Sequence, residues 1–182
     1  MNLMKNKFLY IISFILLITS CNKQSFQLDA IIQECYDSIY QQEGFDIKTI
    51  INEYEKLLIS DGVLRDGNGK SYLEVYKKVI SDKDFRIKSE TFQEYDPWHK
   101  IDKQIAVTLF ECERRMIELA KKEDSKWINL FDKFEAPETM ESPEMMYQVM
   151  QENLSEEDLN SYYFKLKMFN IFDMVNAKWA SQ

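Results

Sequence analysis

The sequence predicts one mostly α-helical domain, and three observations carry that expectation. All four glycines, Gly44, Gly62, Gly67 and Gly69, fall in one short region, and none occurs from Lys70 to Gln182. Tight β-hairpins usually need Gly or Asn at positive φ, so a long stretch without glycine favours helices over a meander of strands. Apolar residues recur at helical spacing through most of the chain. No internal repeat, low-complexity tract or linker divides it, so six or seven helices around one core are expected over residues 28–182.

The elements follow in order. Leu28, Ile31, Ile32, Cys35 and Ile39 make the first stripe, and Gly44 lies just past it. Asp46 is placed to cap a second helix with the stripe Ile47, Ile50, Ile51, Tyr54, Leu57 and Leu58, which Gly62 ends. A turn through Asp66-Gly67-Asn68-Gly69-Lys70 follows, its glycines read as residues at positive φ. Ser71-Tyr72-Leu73-Glu74 then has the form of a capping box, opening a helix with Leu73, Tyr76, Val79 and Ile80 on one face. Residues 84–100 are the least regular. Phe85-Arg86-Ile87-Lys88 alternates, which reads as a short β segment near 85–92, and Pro97 breaks any helix there.

Residues 101–122 give the clearest helix, with Ile105, Leu109, Cys112, Met116 and Leu119 on one face. Trp127, Ile128, Leu130, Phe131 and Phe134 mark a short helix. Ser142-Pro143 supplies an N-cap and a proline at the first helical position before Met145, Met146, Val149 and Met150. Ser155 followed by three acids opens a final helix, the acids facing the positive end of its dipole, with Leu159, Tyr162, Tyr163, Leu166, Phe169 and Phe172 as its stripe. Phe164-Lys165-Leu166-Lys167-Met168 also alternates, so a strand is the rival reading there.

The N-terminus carries an address. Lys5 and Lys7 precede an apolar run from Phe8 to Ile18, which ends at Thr19-Ser20-Cys21. A basic start, an apolar middle and small residues at the end describe a secretory leader, and the run is short for a ~30 Å hydrocarbon core. Leu17-Ile18-Thr19-Ser20-Cys21 resembles the lipobox of bacterial lipoproteins, with Ile18 where Leu is usual and Ser20 where Gly or Ala is usual. The resemblance covers the first 21 residues and implies cleavage before Cys21, diacylglyceryl and usually further acyl modification of that residue, and a membrane anchor. An uncleaved anchor helix and an ordinary cleaved leader are the alternatives. Residues 1–20 are thus expected to be the signal peptide and 21–27 a lipidated tether. Asn22 in place of Asp points to the outer membrane, with periplasmic and outward orientations both open.

Composition narrows the function. Lys5 and Lys7 leave with the leader, taking the formal charge from −8 to −10. Such acidity disfavours nucleic acid and a charge-driven grip on anionic lipid, so the lipid itself is expected to anchor the chain. Cys35 and Cys112 remain after Cys21; an oxidising envelope lets them pair, and two buried free thiols are the alternative.

Several chemistries lack their parts. Gly69-Lys70-Ser71 ends like a phosphate loop, but Leu64 stands where that motif needs glycine. Asp66, Asn68 and Lys70 sit at positions one, three and five of a would-be calcium loop, and Lys70, Ser71 and Lys77 stand where an oxygen ligand, Gly and Glu are needed. The single histidine, His99, is too little for a His-based zinc site, and no Gly-x-Ser-x-Gly elbow presents a serine. No cofactor is implied. Carboxylate chemistry on a glycan stays open, because it needs only two acids in a cleft. The expectation is a lipid-anchored, non-catalytic binding module with an envelope protein or ligand as partner, or an envelope immunity or inhibitor protein. Phe92, Tyr95, Trp98 and His99, aromatics interleaved with acids, are the candidate interaction surface, and core plugs are the alternative reading of Phe92 and Trp98.

Overall fold

The protein is described by a computed structural model covering residues 30–31, 33–82, 84–95, 103–123, 125–136 and 142–180. The signal segment, Cys21, the tether, Trp98 and His99 lie outside the described residues. Every regular element among the described residues is helical. None of these helices is long and apolar enough to cross a membrane.

A π-helical turn, Gln33–Asp37, runs into α1, Ser38–Gln42. Gly44 at φ 83° then turns the chain, and the Phe45 amide donates back to the Tyr40 carbonyl at 2.8 Å. Helix α2, Ile47–Ser60, starts where Asp46 accepts from the amides of Lys48 and Thr49 at 3.0 and 3.3 Å. It buries Ile47, Ile51, Tyr54 and Leu58 and ends before Gly62 at φ 70°.

Helix α3, Gly69–Ser81, begins before the expected capping box. Asn68 caps it by accepting from the Lys70 amide, and Ser71 is an interior helical residue only 1 % exposed. The Ser71 hydroxyl accepts from the Arg65 amide at 2.9 Å, and Glu74 pairs with the Arg65 guanidinium. Ser71 and Glu74 therefore tie down the preceding loop. Gly67 and Gly69 are not at positive φ, which corrects the turn expectation. A Cβ on Gly69 would overlap the backbone carbonyl of Leu159, so glycine is needed there for close helix approach.

No strand forms over residues 85–92. The chain runs irregularly to the short α4, Phe92–Tyr95. Helices α5, Lys103–Lys122, and α6, Lys126–Glu135, follow, the latter capped by Ser125. Helix α7, Pro143–Asn153, is capped by Ser142, which accepts from the Met145 amide at 3.2 Å. The expected final helix is two: α8, Glu156–Leu159, with a capping box between Ser155 and Asp158, and α9, Tyr162–Ala180. The break falls at Asn160 and Ser161. Asn160 turns its side chain to accept from the Gly69 amide at 2.8 Å, and the Ser161 hydroxyl accepts from the Phe164 amide at 3.2 Å to start α9.

Helix α9 is the centre of the fold. Phe164, Leu166, Met168, Phe169 and Phe172 are all buried, which explains the strand-like alternation: a helix covered on several sides loses its one-sided pattern. On one side, α2, α3 and α4 meet it through rings. Tyr54 lies edge-on to Phe169 at 4.7 Å, Phe92 is 5.1 Å from both, and Tyr72 stacks on Phe172 at 6.3 Å. On the other side stand α5, α6 and α7. Cys35 and Cys112 form a disulfide, with Cα atoms 5.9 Å apart, that fastens the first turn to α5.

Candidate functional site

Of the aromatic segment nominated by sequence, Phe92 and Tyr95 lie among the described residues. Phe92 is 1 % exposed and packs between Tyr54 and Phe169, so it belongs to the core and leaves the interaction surface. The cause is local. The Asp173 carboxylate of α9 accepts from the amides of Phe92 and Gln93 at 2.9 and 2.8 Å, capping α4 from another helix and drawing the Phe92 ring inward. Tyr95 is half-buried, 5.5 Å from the Tyr54 ring, with its hydroxyl 3.5 Å from Glu53.

A different site lies between α5, α6, α7 and α9, where these helices border a cavity of about 270 Å³ that is partly open to solvent. The thioethers of Met116, Met146, Met150 and Met168 supply much of its wall, with the rings of Trp127 and Phe131. The helices place them by spacing: Met146 and Met150 are one turn apart on α7, and Phe164, Lys167, Met168 and Ile171 share one face of α9. In sequence, Met146 and Met150 mark the buried side of their helix, and spacing alone does not say what that side faces. The signal available was the nine methionines of the chain, four of which meet here.

The polar groups of this wall stand together. Lys167 donates to Glu113 at 2.5 Å, and the Tyr36 hydroxyl donates to the same carboxylate oxygen at 2.8 Å. The Lys167 ammonium also sits 5.4 Å over the Tyr163 ring. Burial first, then the Glu113 carboxylate, push both the Tyr36 and Tyr163 phenols far above their ordinary range, so both stay neutral at any physiological pH. Tyr36 and Glu113 are the sequence neighbours of Cys35 and Cys112, so the disulfide holds this polar group in place.

A second, part-buried polar group joins α2, α3 and α9. Lys165 pairs with Glu55 at 2.5 Å, both side chains only 14 % exposed, and Glu55 also accepts from the Tyr72 hydroxyl. Each partner is matched, and the group fixes α9 against α2 and α3.

Among the described residues, no group of three or more His, Cys, Asp and Glu side chains could hold a metal ion. Among the described residues lining the cavity, Glu113 is the one acid, whereas carboxylate-driven glycoside hydrolysis uses two. The chain matches no protein-family model, and comparison with curated proteins and with solved structures finds no significant match.

Proposed function

We propose that this protein is a non-catalytic binding module, carried on a bacterial envelope membrane by lipid on Cys21, whose ligand site is the cavity between α5, α6, α7 and α9. The observation that carries the reading is that cavity: a partly open apolar cleft with a few polar side chains gathered together, the usual make-up of a small-molecule site. Methionine walls support it further, because unbranched thioethers adapt to a guest at little cost in strain. The anchor rests on the lipobox residues Leu17 to Cys21. The net charge of −10 after loss of Lys5 and Lys7 favours a partner other than nucleic acid.

The test uses residues 22–182, which contain every core residue from Tyr36 to Phe172. An environment-sensitive apolar dye should brighten with this protein and show one saturable site. Met146→Trp, which places a large ring in the cavity, should abolish that signal while the helical circular-dichroism spectrum stays unchanged. Dye binding that survives the substitution would place the apolar site elsewhere. For the anchor, Cys21→Ala in cells should release the protein from membranes or leave an uncleaved precursor; normal maturation and membrane retention would remove the lipid from the proposal.

A further inference from the structure

Resting on that reading of the cavity, we infer that its ligand is a single-chain lipid with an uncharged head group, the chain among the methionines and the head at Glu113 and Lys167. Size sets the chain. Benzene fills an apolar cavity of roughly 150 Å³. The 270 Å³ here is less than twice that, room between the helices for about ten carbons of one chain, and the cavity opens to solvent, where any further carbons would lie. Wall chemistry sets its flexibility, since Met116, Met146, Met150 and Met168 can follow a bent alkyl chain as rigid branched side chains cannot.

The polar group sets the head. Glu113 and Lys167 carry opposite charges in contact, so the site has no net charge to offer. A carboxylate head would gain Lys167 but meet Glu113, and a cationic head would gain Glu113 but meet Lys167. An uncharged head with a hydroxyl and an ester satisfies both. An ammonium has three protons to give and Glu113 takes one, leaving Lys167 able to donate to an ester carbonyl. Tyr36 and Lys167 both donate to Oε1 of Glu113, which leaves Oε2 with the capacity to accept from a ligand hydroxyl. A monoacylglycerol has this pattern. The Tyr36 hydrogen bond keeps Glu113 from swinging away when Lys167 turns to the ligand.

The probe set is a series of saturated monoacylglycerols from eight to sixteen carbons and the fatty acids of equal length. Each is held below its micelle concentration and competes with the dye on residues 22–182 at neutral pH. Monoacylglycerol affinity should rise about fourfold per methylene, the equivalent of about 0.8 kcal/mol, and level off near ten to twelve carbons. The matched fatty acid should bind at least about tenfold more weakly, the cost of one unfavourable charge contact. Lys167→Met and Glu113→Gln should each weaken the monoacylglycerol about tenfold while dye binding persists, which keeps a folding defect distinguishable. Tighter fatty-acid than monoacylglycerol binding would overturn the head group, and affinity still climbing at sixteen carbons would overturn the single short chain. Dye binding that Met146→Trp abolishes but that no lipid displaces would overturn this inference and leave the cavity reading standing. No saturable dye binding at all would remove both.

Discussion

The two sides of α9 are packed by different rules. Toward α2, α3 and α4 it presents Phe169 and Phe172 to Tyr54, Tyr72 and Phe92, rings in edge-on, tilted or stacked contact at 4.7–6.3 Å. Toward α5, α6 and α7 it presents Phe164, Lys167, Met168 and Ile171 to a cavity of about 270 Å³. Rings with two side-chain torsions lose little freedom on burial and specify one arrangement; methionines with three adapt to several. One helix thus joins a half that fixes the fold to a half suited to receiving a guest, and the disulfide and the Tyr36–Glu113–Lys167 contacts brace the second half where packing alone does not.

The comparison breaks most plainly on truncation. Phe169→Ala removes a fully buried ring from the tight side and should cost about 4 kcal/mol in urea unfolding. Met146→Ala, at a half-buried residue already bordering the cavity, should cost about 1 kcal/mol, because the cost grows with the new void and little is created there. Equal losses would mean that the two sides are packed alike.

The brace comes next. Cys35 and Cys112 are 77 residues apart, and closing a loop of that length in the unfolded chain is worth about 4.5 kcal/mol. Reduction, or Cys35→Ala with Cys112→Ala, should lower stability by that amount. Native-state hydrogen exchange should show protection lost first in α1 and α5 and kept in α2, α3 and α9. Uniform loss across all helices would show the brace acting on the whole molecule and not on the cavity half.

The legibility of this fold in sequence follows the same division. Helices with a one-sided stripe and a local cap were readable: Asp46 before α2, Ser142-Pro143 before α7 and Ser155 before α8 all act on their own next turn. What sequence reading missed depends on partners far along the chain. Residues 85–92 look strand-like in isolation, yet the Asn176 side chain both donates to the Ile87 carbonyl at 3.1 Å and accepts from its amide at 3.3 Å, supplying from a helix the pairing a neighbouring strand would give. Ser71-Tyr72-Leu73-Glu74 fits a local capping rule and serves a loop contact instead. The cavity was invisible because its walls come from four helices spread over residues 113–171, and each methionine, read alone, is an ordinary core residue.

The capping of α4 by Asp173 sharpens the picture of the tight side. Asp173 is 6 % exposed as a residue, and its carboxylate accepts from the amides of Phe92 and Gln93. Asp173→Ala leaves both donors without that partner, one of them buried, and should cost about 2 kcal/mol in urea unfolding. Tyr95, two residues beyond Gln93 at the end of α4, should become more accessible to iodide quenching or nitration. A loss well under 1 kcal/mol would mean that water replaces the cap at no cost and that ring packing alone holds residues 85–95.

The smallest effect separates an exposed cap from a buried one through pH. Asp46, at the solvent edge of α2, has its carboxyl held below the usual range, chiefly by the Thr49 hydroxyl and also by the backbone amides of Thr49 and Lys48. Removing an exposed cap of this kind costs about 1 kcal/mol at neutral pH. A depressed folded pKa contributes stability that is present above the unfolded carboxylate pKa and lost as pH falls through the folded one, so the penalty of Asp46→Ala should vanish on acidification. For Asp173 the order is reversed. Burial among the rings raises its pKa against the lowering pull of the Phe92 and Gln93 amides, so the folded state holds the proton longer than the unfolded chain does. Stability contributed by that group therefore falls as pH rises from the unfolded carboxylate range through the folded pKa, and the advantage of wild type over Asp173→Ala should grow on acidification. Urea unfolding of the three proteins between pH 7 and pH 3 gives two difference curves, and opposite slopes are expected. A shared slope would mean that Asp173 is as well solvated as Asp46, and that the ring-packed side of α9 admits water to its one buried carboxylate among the described residues.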